Sequence, residues 1–327
     1  MKRALLTVLA LAAVLPGRAA EPLKLVRTIP LPGVEGRIDH LGVDLVGHRL
    51  FVAALGNNTV EVVDLNAGQR ILTLKSLREP QGVLFAPSLN RIYVANGEDG
   101  KVTVFEGTSF RPLHTIEFSG DADNIRYDAD ARQAYIGYGS GALGIVDVGA
   151  MARKVGDIPL EGHPESFQLE KSGTRIFVNV PTAGHIAVID RRARAVTLKW
   201  PLPGNQQNFP MALDEDEHRL FAGCRKPAHV AVIDTNTGKI VAQLDCVGDT
   251  DDLFYDAALR RLYVSGGEGF LSVFQEQNPD HYTQLAKIPT AAGARTSLFV
   301  PNLKRFYLAV PHRGAQAAGV RVYETQP

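Results

Sequence analysis

An aromatic residue recurs along this chain at an almost constant interval. Phe51, Tyr93, Tyr135, Phe177, Phe221, Tyr263 and Tyr307 are separated by 42 to 44 residues. Two positions before them stand Arg49, Arg91, Gln133, Arg175, Arg219, Arg261 and Arg305. About 13 residues after them, behind an apolar triplet, come Asp64, Glu106, Asp147, Asp190, Asp234 and Gln275. Repeats of this length with four short strand signals each predict propeller blades. The expected fold is therefore all-β, a seven-bladed β-propeller with four antiparallel strands per blade.

Residues 90–107 (NRIYVANGEDGKVTVFEG) show the unit clearly. Ile92, Tyr93 and Val94 alternate into turn chemistry at Asn96, Gly97, Asp99 and Gly100, and Val102, Val104 and Phe105 alternate out of it. That is a hairpin of a second and a third strand. Residues 82–85 supply the first strand of the same unit and residues 112–116 the fourth. A single twisted sheet of this kind leaves both faces and both edges uncovered, so blades must stack and the ring must close. The last unit supplies strands over 296–300, 305–310 and 319–323 but reaches Pro327 before a fourth. Residues 25–30 (LVRTIP) read like the fourth strands at 157–160 and 287–290. The N-terminal strand is expected to complete the last blade.

The units resemble the YVTN-type β-propeller repeat of exported bacterial proteins. The motifs that carry the likeness are RLFV at 49–52, RIYVAN at 91–96, VID at 188–190, VIDTNTG at 232–238 and RLYV at 261–264. The likeness covers residues 25–324. It implies the fold. Proteins that look like this include binding and scaffold proteins, and related seven-bladed folds include lactonases, lyases and quinoprotein subunits, so function must be argued from a site.

Basic and acidic residues balance at 35 each, and no run concentrates positive charge. Nucleic acid is not an expected partner, because phosphate binding requires a surplus of Lys and Arg. Lys2 and Arg3 precede an apolar run over residues 4–15, followed by Pro16, Gly17, Arg18 and Ala19. The run is too short to span a bilayer, and its layout is that of a signal peptide cut after Ala19. The expected division is a leader over residues 1–19 and one propeller domain over residues 20–327. The expected location is periplasmic or secreted, with no membrane span once the leader is removed. Cys224 and Cys246 are the two cysteines. In an oxidising compartment they are expected to pair, provided the loop leaving the fourth strand crosses back over the second.

In a propeller the first strand of each blade lines the central channel. Twelve residues before each recurring aromatic stand Asp39, Gln81, Asp123, Glu165, Phe209, Asp251 and Arg295. The next positions hold His40, Gly82, Asn124, Ser166, Pro210, Asp252 and Thr296. The loops leading into these strands differ from one another while the frame repeats, as a single small ligand would require. His163 and Asn208 lie in those loops, and His185, Arg225, Lys226, His229, His312 and Arg313 lie near the facing hairpin turns. A polar ligand site at this channel mouth is the leading expectation. Asp123, Asn124, Glu165, Asp251 and Asp252 are hard oxygen donors suited to Ca²⁺ or Mg²⁺. His40, His163 and His312 would suit a transition metal. Asp39, His40 and His163 facing Glu165 and Asp251, with Arg295 on an anionic oxygen, would suit acid–base catalysis by a hydrolase or lyase. Arg225, Lys226, Arg295 and Arg313 would suit recognition of an anion, or the rim would dock another exported protein.

Overall fold

The computed structural model describes residues 21–149 and 151–327, and the expected leader over residues 1–19 lies outside them. The chain opens with strand β1 (Leu23–Pro30). Blade one is β2 (Leu41–Asp44), β3 (Arg49–Ala54), β4 (Thr59–Asp64) and β5 (Gln69–Leu74). Blade two is β6 (Pro80–Ala86), β7 (Arg91–Asn96), β8 (Lys101–Glu106) and β9 (Pro112–Glu117). Blade three is β10 (Ala122–Asp128), β11 (Gln133–Tyr138), β12 (Ala142–Asp147) and β13 (Arg153–Pro159). Blade four is β14 (Phe167–Leu169), β15 (Arg175–Val180), β16 (His185–Asp190) and β17 (Ala195–Pro201). Blade five is β18 (Gln206–Asp214), β19 (Arg219–Lys226), β20 (Ala228–Asp234) and β21 (Ile240–Asp245). Blade six is β22 (Thr250–Asp256), β23 (Arg261–Gly266), β24 (Phe270–Asn278) and β25 (His281–Pro289). Blade seven is β26 (Ser297–Val300), β27 (Arg305–Val310) and β28 (Gly319–Thr325), completed by β1. Among the described residues no helix is long and apolar enough to cross a membrane.

The recurring residues each have a physical task. The aromatics Phe51, Tyr93, Tyr135, Phe177, Phe221, Tyr263 and Tyr307 are all buried in the sheet stack. The acidic residue that ends the third strand caps the following turn: Asp64 accepts the N–H groups of Asn66 and Ala67, both at 2.8 Å, and Asp190 those of Arg192 and Ala193 at the same distance. Such side chains substitute for a missing backbone partner in a tight turn. In four blades the arginine before the aromatic links to the next blade. Arg49 donates to the Gly107 carbonyl, Arg175 to that of Thr235 and Arg261 to that of Gln326, while Arg219 pairs with Asp280 at 2.6 Å. Arg49 also lies over the rings of Phe51, Phe85 and Phe110.

Among the described residues the core is divided among seven clusters, each between two adjacent blades. β1 runs antiparallel to β28, with Leu23 opposite Thr325 and Ile29 opposite Val320. Ile29 enters the cluster between blades seven and one, and Leu23 the cluster between blades six and seven. One strand therefore secures both faces of the last blade.

The expected bond between Cys224 and Cys246 is corrected here: both are free thiols. Cys224 on β19 faces His229 on β20, and the Cys246 N–H donates to Ala228 on the far side of β20. Two ladder steps of about 4.8 Å each exceed the reach of a disulfide between such positions. The outgoing loop does not close that gap.

Replacing Ile29 by Ala empties part of the closing cluster, where that side chain is 1% exposed. Stability should fall by about 2–5 kcal/mol in urea unfolding. An unchanged midpoint would mean that β1 does not fasten the ring.

Candidate functional site at the channel mouth

All seven residues placed at the start of the first strands line one cavity of about 230 Å³ at the channel mouth, joined by Arg37, His40, Asp121, His163 and Arg225. They converge because each stands at the same height on the innermost strand of its blade. The backbone helps: β6, β10, β18 and β22 each change register just after this level. Such a bulge re-aims the side chains it carries.

The charges interlock. Arg37 donates to Asp39 at 2.8 Å and lies 3.7 Å from Asp251. Arg225 donates to Asp251 at 2.6 Å and to the Thr250 carbonyl at 2.8 Å, with its guanidinium 3.9 Å from the centre of the Phe209 ring. Arg295 donates to Asp249 at 2.7 Å and approaches Asp251 at 3.5 Å. His163 bonds the Gly139 carbonyl through Nδ1 at 2.7 Å and stands 3.9 Å from Asp123. Gln81 donates to Asp121 at 2.8 Å. His40 sits at the floor, 3.4 Å from Asp252, 3.7 Å from Asp39 and 3.8 Å from Asp123.

These partners do not exhaust the polar capacity of the wall. Among the described residues Asp39 Oδ1, Asp123 Oδ1, Asp251 Oδ2 and Arg295 Nε are buried without a hydrogen-bond partner. A buried polar atom left so costs about 1–3 kcal/mol. Four of them on residues that line one cavity is a concentration that ordinary structural packing avoids.

The same crowding drives protonation in opposite directions. Burial, then the charges of Asp123 and Asp251, push the Glu165 carboxyl up to about 8. Burial also opposes charge on Asp123, but His163, His40 and the Asn124 amide outweigh it and hold this carboxyl below its usual range. Burial pulls His163 down, yet Asp123, the Gly139 carbonyl and Asp121 raise it to about 9. His40 is likewise raised well above its ordinary value by Asp252 and Asp39 against the cost of burial. Burial raises Asp39 and Asp251 despite their cationic neighbours.

Of the other expected site residues, Asn124 and Asp252 lie one level deeper, in a second chamber that shares His40 with the mouth. The proposed oxygen set for Ca²⁺ or Mg²⁺ is thereby split between two chambers. Among the described residues no group of three or more His, Cys, Asp and Glu is arranged to hold a metal ion. His312 pairs with Glu35 at 2.7 Å, away from His40 and His163. His185 faces Glu161 at 3.8 Å, and Asn208 is buried between blades, donating to Asn179 at 2.8 Å. Arg313 pairs through its backbone with Gln316 at the rim. His229 is buried against Asn205. None of these five lines the mouth cavity. Arg37 and Asp121 were missing from the expected set. Arg37 stands two residues before Asp39 and Asp121 two before Asp123, so the same register count extended by one alternation finds them.

No protein-family profile matches the chain. Two proteins called "Uncharacterized protein YncE", from Salmonella typhimurium and Salmonella typhi, are each 22% identical to it over 228 residues. The match covers 68% of this chain and 64% of those relatives. A chain of the Kuenenia stuttgartiensis hydrazine synthase superposes with a TM-score of 0.74 at 18% identity, over 85% of this chain and 95% of that one. A chain of a mitotic checkpoint complex gives 0.79 at 15% identity, over 100% and 99%. At such identities the likeness establishes the seven-bladed propeller and leaves function to the site.

The raised Glu165 carboxyl has a sign that can be tested. Its folded state favours the proton, so its contribution is whole below the ordinary carboxyl value near 4.5 and is lost as pH rises through about 8. Glu165→Gln should therefore melt several degrees above wild type at pH 9, and the two should converge toward pH 4. Parallel melting curves across that range would contradict the assignment.

Proposed function

We propose that this protein is an exported β-propeller that binds a small polar ligand at its channel mouth. The observation that carries the reading is the set of buried atoms without a hydrogen bond at Asp39, Asp123, Asp251 and Arg295, four residues that line one cavity. Three of the four are carboxylate oxygens, so the matching ligand is richer in donors than in acceptors. A polyhydroxylated or aminated molecule of a few ångströms meets that need. At about 230 Å³ the cavity holds roughly eight waters, or one such ligand in their place. The Arg225 guanidinium over Phe209 and the Arg37 bond to Asp39 hold the walls in position before binding, which lowers the ordering cost of association. Support for export comes from residues 1–19, with their basic start and short apolar run, and from the likeness of the repeats to those of exported propellers.

A second reading rests on a different observation. Asp123 and Glu165 line the same cavity with their protonation pushed apart. Such a pair at neutral pH is one charged base beside one neutral acid. A lactone hydrolase or a lyase would use it, with Arg295 or Arg37 on the developing negative charge.

Small polyols and amines (inositol, glucosamine, ethanolamine) offered to the purified protein in thermal-shift and calorimetric titrations distinguish these readings from an inert rim. At least one should raise the melting temperature, and Glu165→Ala should weaken it about tenfold without loss of fold. A flat response across the panel, or equal binding by the variant, would remove the mouth as a ligand site. Lactone turnover with an upper pH limb near 8 that disappears in Glu165→Gln would establish the catalytic reading instead. Expression of the full chain in a bacterium, followed by osmotic release, should yield protein beginning at Ala20, and retention of an intact N-terminus in the cytoplasm would refute export.

A further inference from the structure

Beneath the mouth lies a second chamber of about 320 Å³. Its character is different. The residues nine positions before the recurring aromatics are Gly42, Leu84, Arg126, Gln168, Ala212, Phe254 and Leu298. Arg126 is the one charged residue at that level. Its guanidinium donates to the Ile125 carbonyl at 3.0 Å and to Ser166 Oγ at 3.3 Å, and it lies 5.5 Å from the centre of the Phe167 ring. These contacts leave the Nε–H and a second hydrogen on each terminal nitrogen unmatched.

No carboxylate among the described residues lies within 4.0 Å of this guanidinium. The inter-blade and mouth arginines are held otherwise: Arg49 has Asp44, Arg175 has Glu170, Arg191 has Asp128 and Arg225 has Asp251. Asp252 and Asp123 act on Arg126 only from further away, and burial lowers its affinity for the proton. His40, whose proton affinity Asp252 and Asp39 raise, lines both the acidic mouth and this chamber. The guanidinium is half-buried and lines the chamber with hydrogen-bonding capacity to spare, which an anion would meet.

We propose that the deep chamber binds the carboxylate of a small amphiphilic acid, with Arg126 as its clamp. The planar fork of the guanidinium matches two carboxylate oxygens. Met211, Leu253, Phe254 and Leu298 on the chamber wall accept the apolar body of the acid. Phosphate has no use for those apolar side chains. Apart from the shared His40, the site stands on different residues from the mouth and does not depend on the ligand proposed there.

Benzoate and its neutral isostere benzamide are suitable probes, with inorganic phosphate as a third. In calorimetric titration of the whole protein, benzoate should bind and benzamide should bind at least about tenfold more weakly, the difference expected for a hydrogen-bonded charge. Arg126→Gln should weaken benzoate by a similar factor, Arg126→Lys should recover part of it, and Glu165→Gln in the mouth should leave it unchanged. If the Gln variant fails to fold, the Lys variant and the benzoate–benzamide ratio on wild type decide. Failure of benzoate to bind, equal binding of benzamide, or full binding by Arg126→Gln overturns the proposal. Phosphate binding as tightly as benzoate overturns the assignment to an amphiphilic acid.

Discussion

Each blade of this protein is a twisted four-stranded sheet with two apolar faces, and only neighbouring blades can cover them. The constraint is cyclic. Seven inter-blade clusters exist because the seventh meets the first, and that meeting depends on β1 adding to the edge of β28. The pairing joins residues almost three hundred positions apart, so it carries a large loop-closure cost that the ladder and the burial of Leu23 and Ile29 must offset. The inter-blade arginines repeat the same logic at the far end of the strands. Arg49, Arg175, Arg219 and Arg261 each reach the next blade, fixing the angle between sheets whose faces are otherwise held by non-directional packing.

Closure also explains the chemistry of the channel. Once the ring is shut, innermost strands from seven blades point the same register position at one axis. Residues that would be harmless on separate surfaces become neighbours in low dielectric, where each charge is felt strongly. Asp39, Asp123, Glu165 and Asp251 crowd together there, and Arg37, Arg225, Arg295, His40 and His163 are drawn in among them. The balance is incomplete at named atoms, and Glu165 answers by holding its proton to about 8. One level deeper the imbalance is of the opposite sign, at Arg126.

The fold was legible because its signals are local and repeated. Spacing of aromatics, turn acids and arginines reports a unit that recurs, and each of those residues acts within its own blade or on the next. The mouth was legible by register alone: counting back from the aromatic found Asp39, Asp123, Glu165, Asp251 and Arg295, all of which line the cavity. The same count misjudged what lies off the innermost strand. His312, His185 and Arg313 stand in the right loops but turn to Glu35, Glu161 and the rim. The thiols of Cys224 and Cys246 failed to pair because a loop path, not a spacing, sets their separation. Arg126 escaped notice because its place on a strand gives no hint that no carboxylate accompanies it.

By itself, then, the amino-acid order determined the number of blades, their strands, the closure by the N-terminal strand and the height at which each inner residue meets the axis. These follow from periodicity and from burial of apolar faces, which are properties of residues near one another in sequence. Only the tertiary structure decided which charges are paired, which are left over, and that the channel is two chambers sharing His40. Those outcomes depend on distances of three to four ångströms between side chains from different blades, and a one-dimensional register does not contain them.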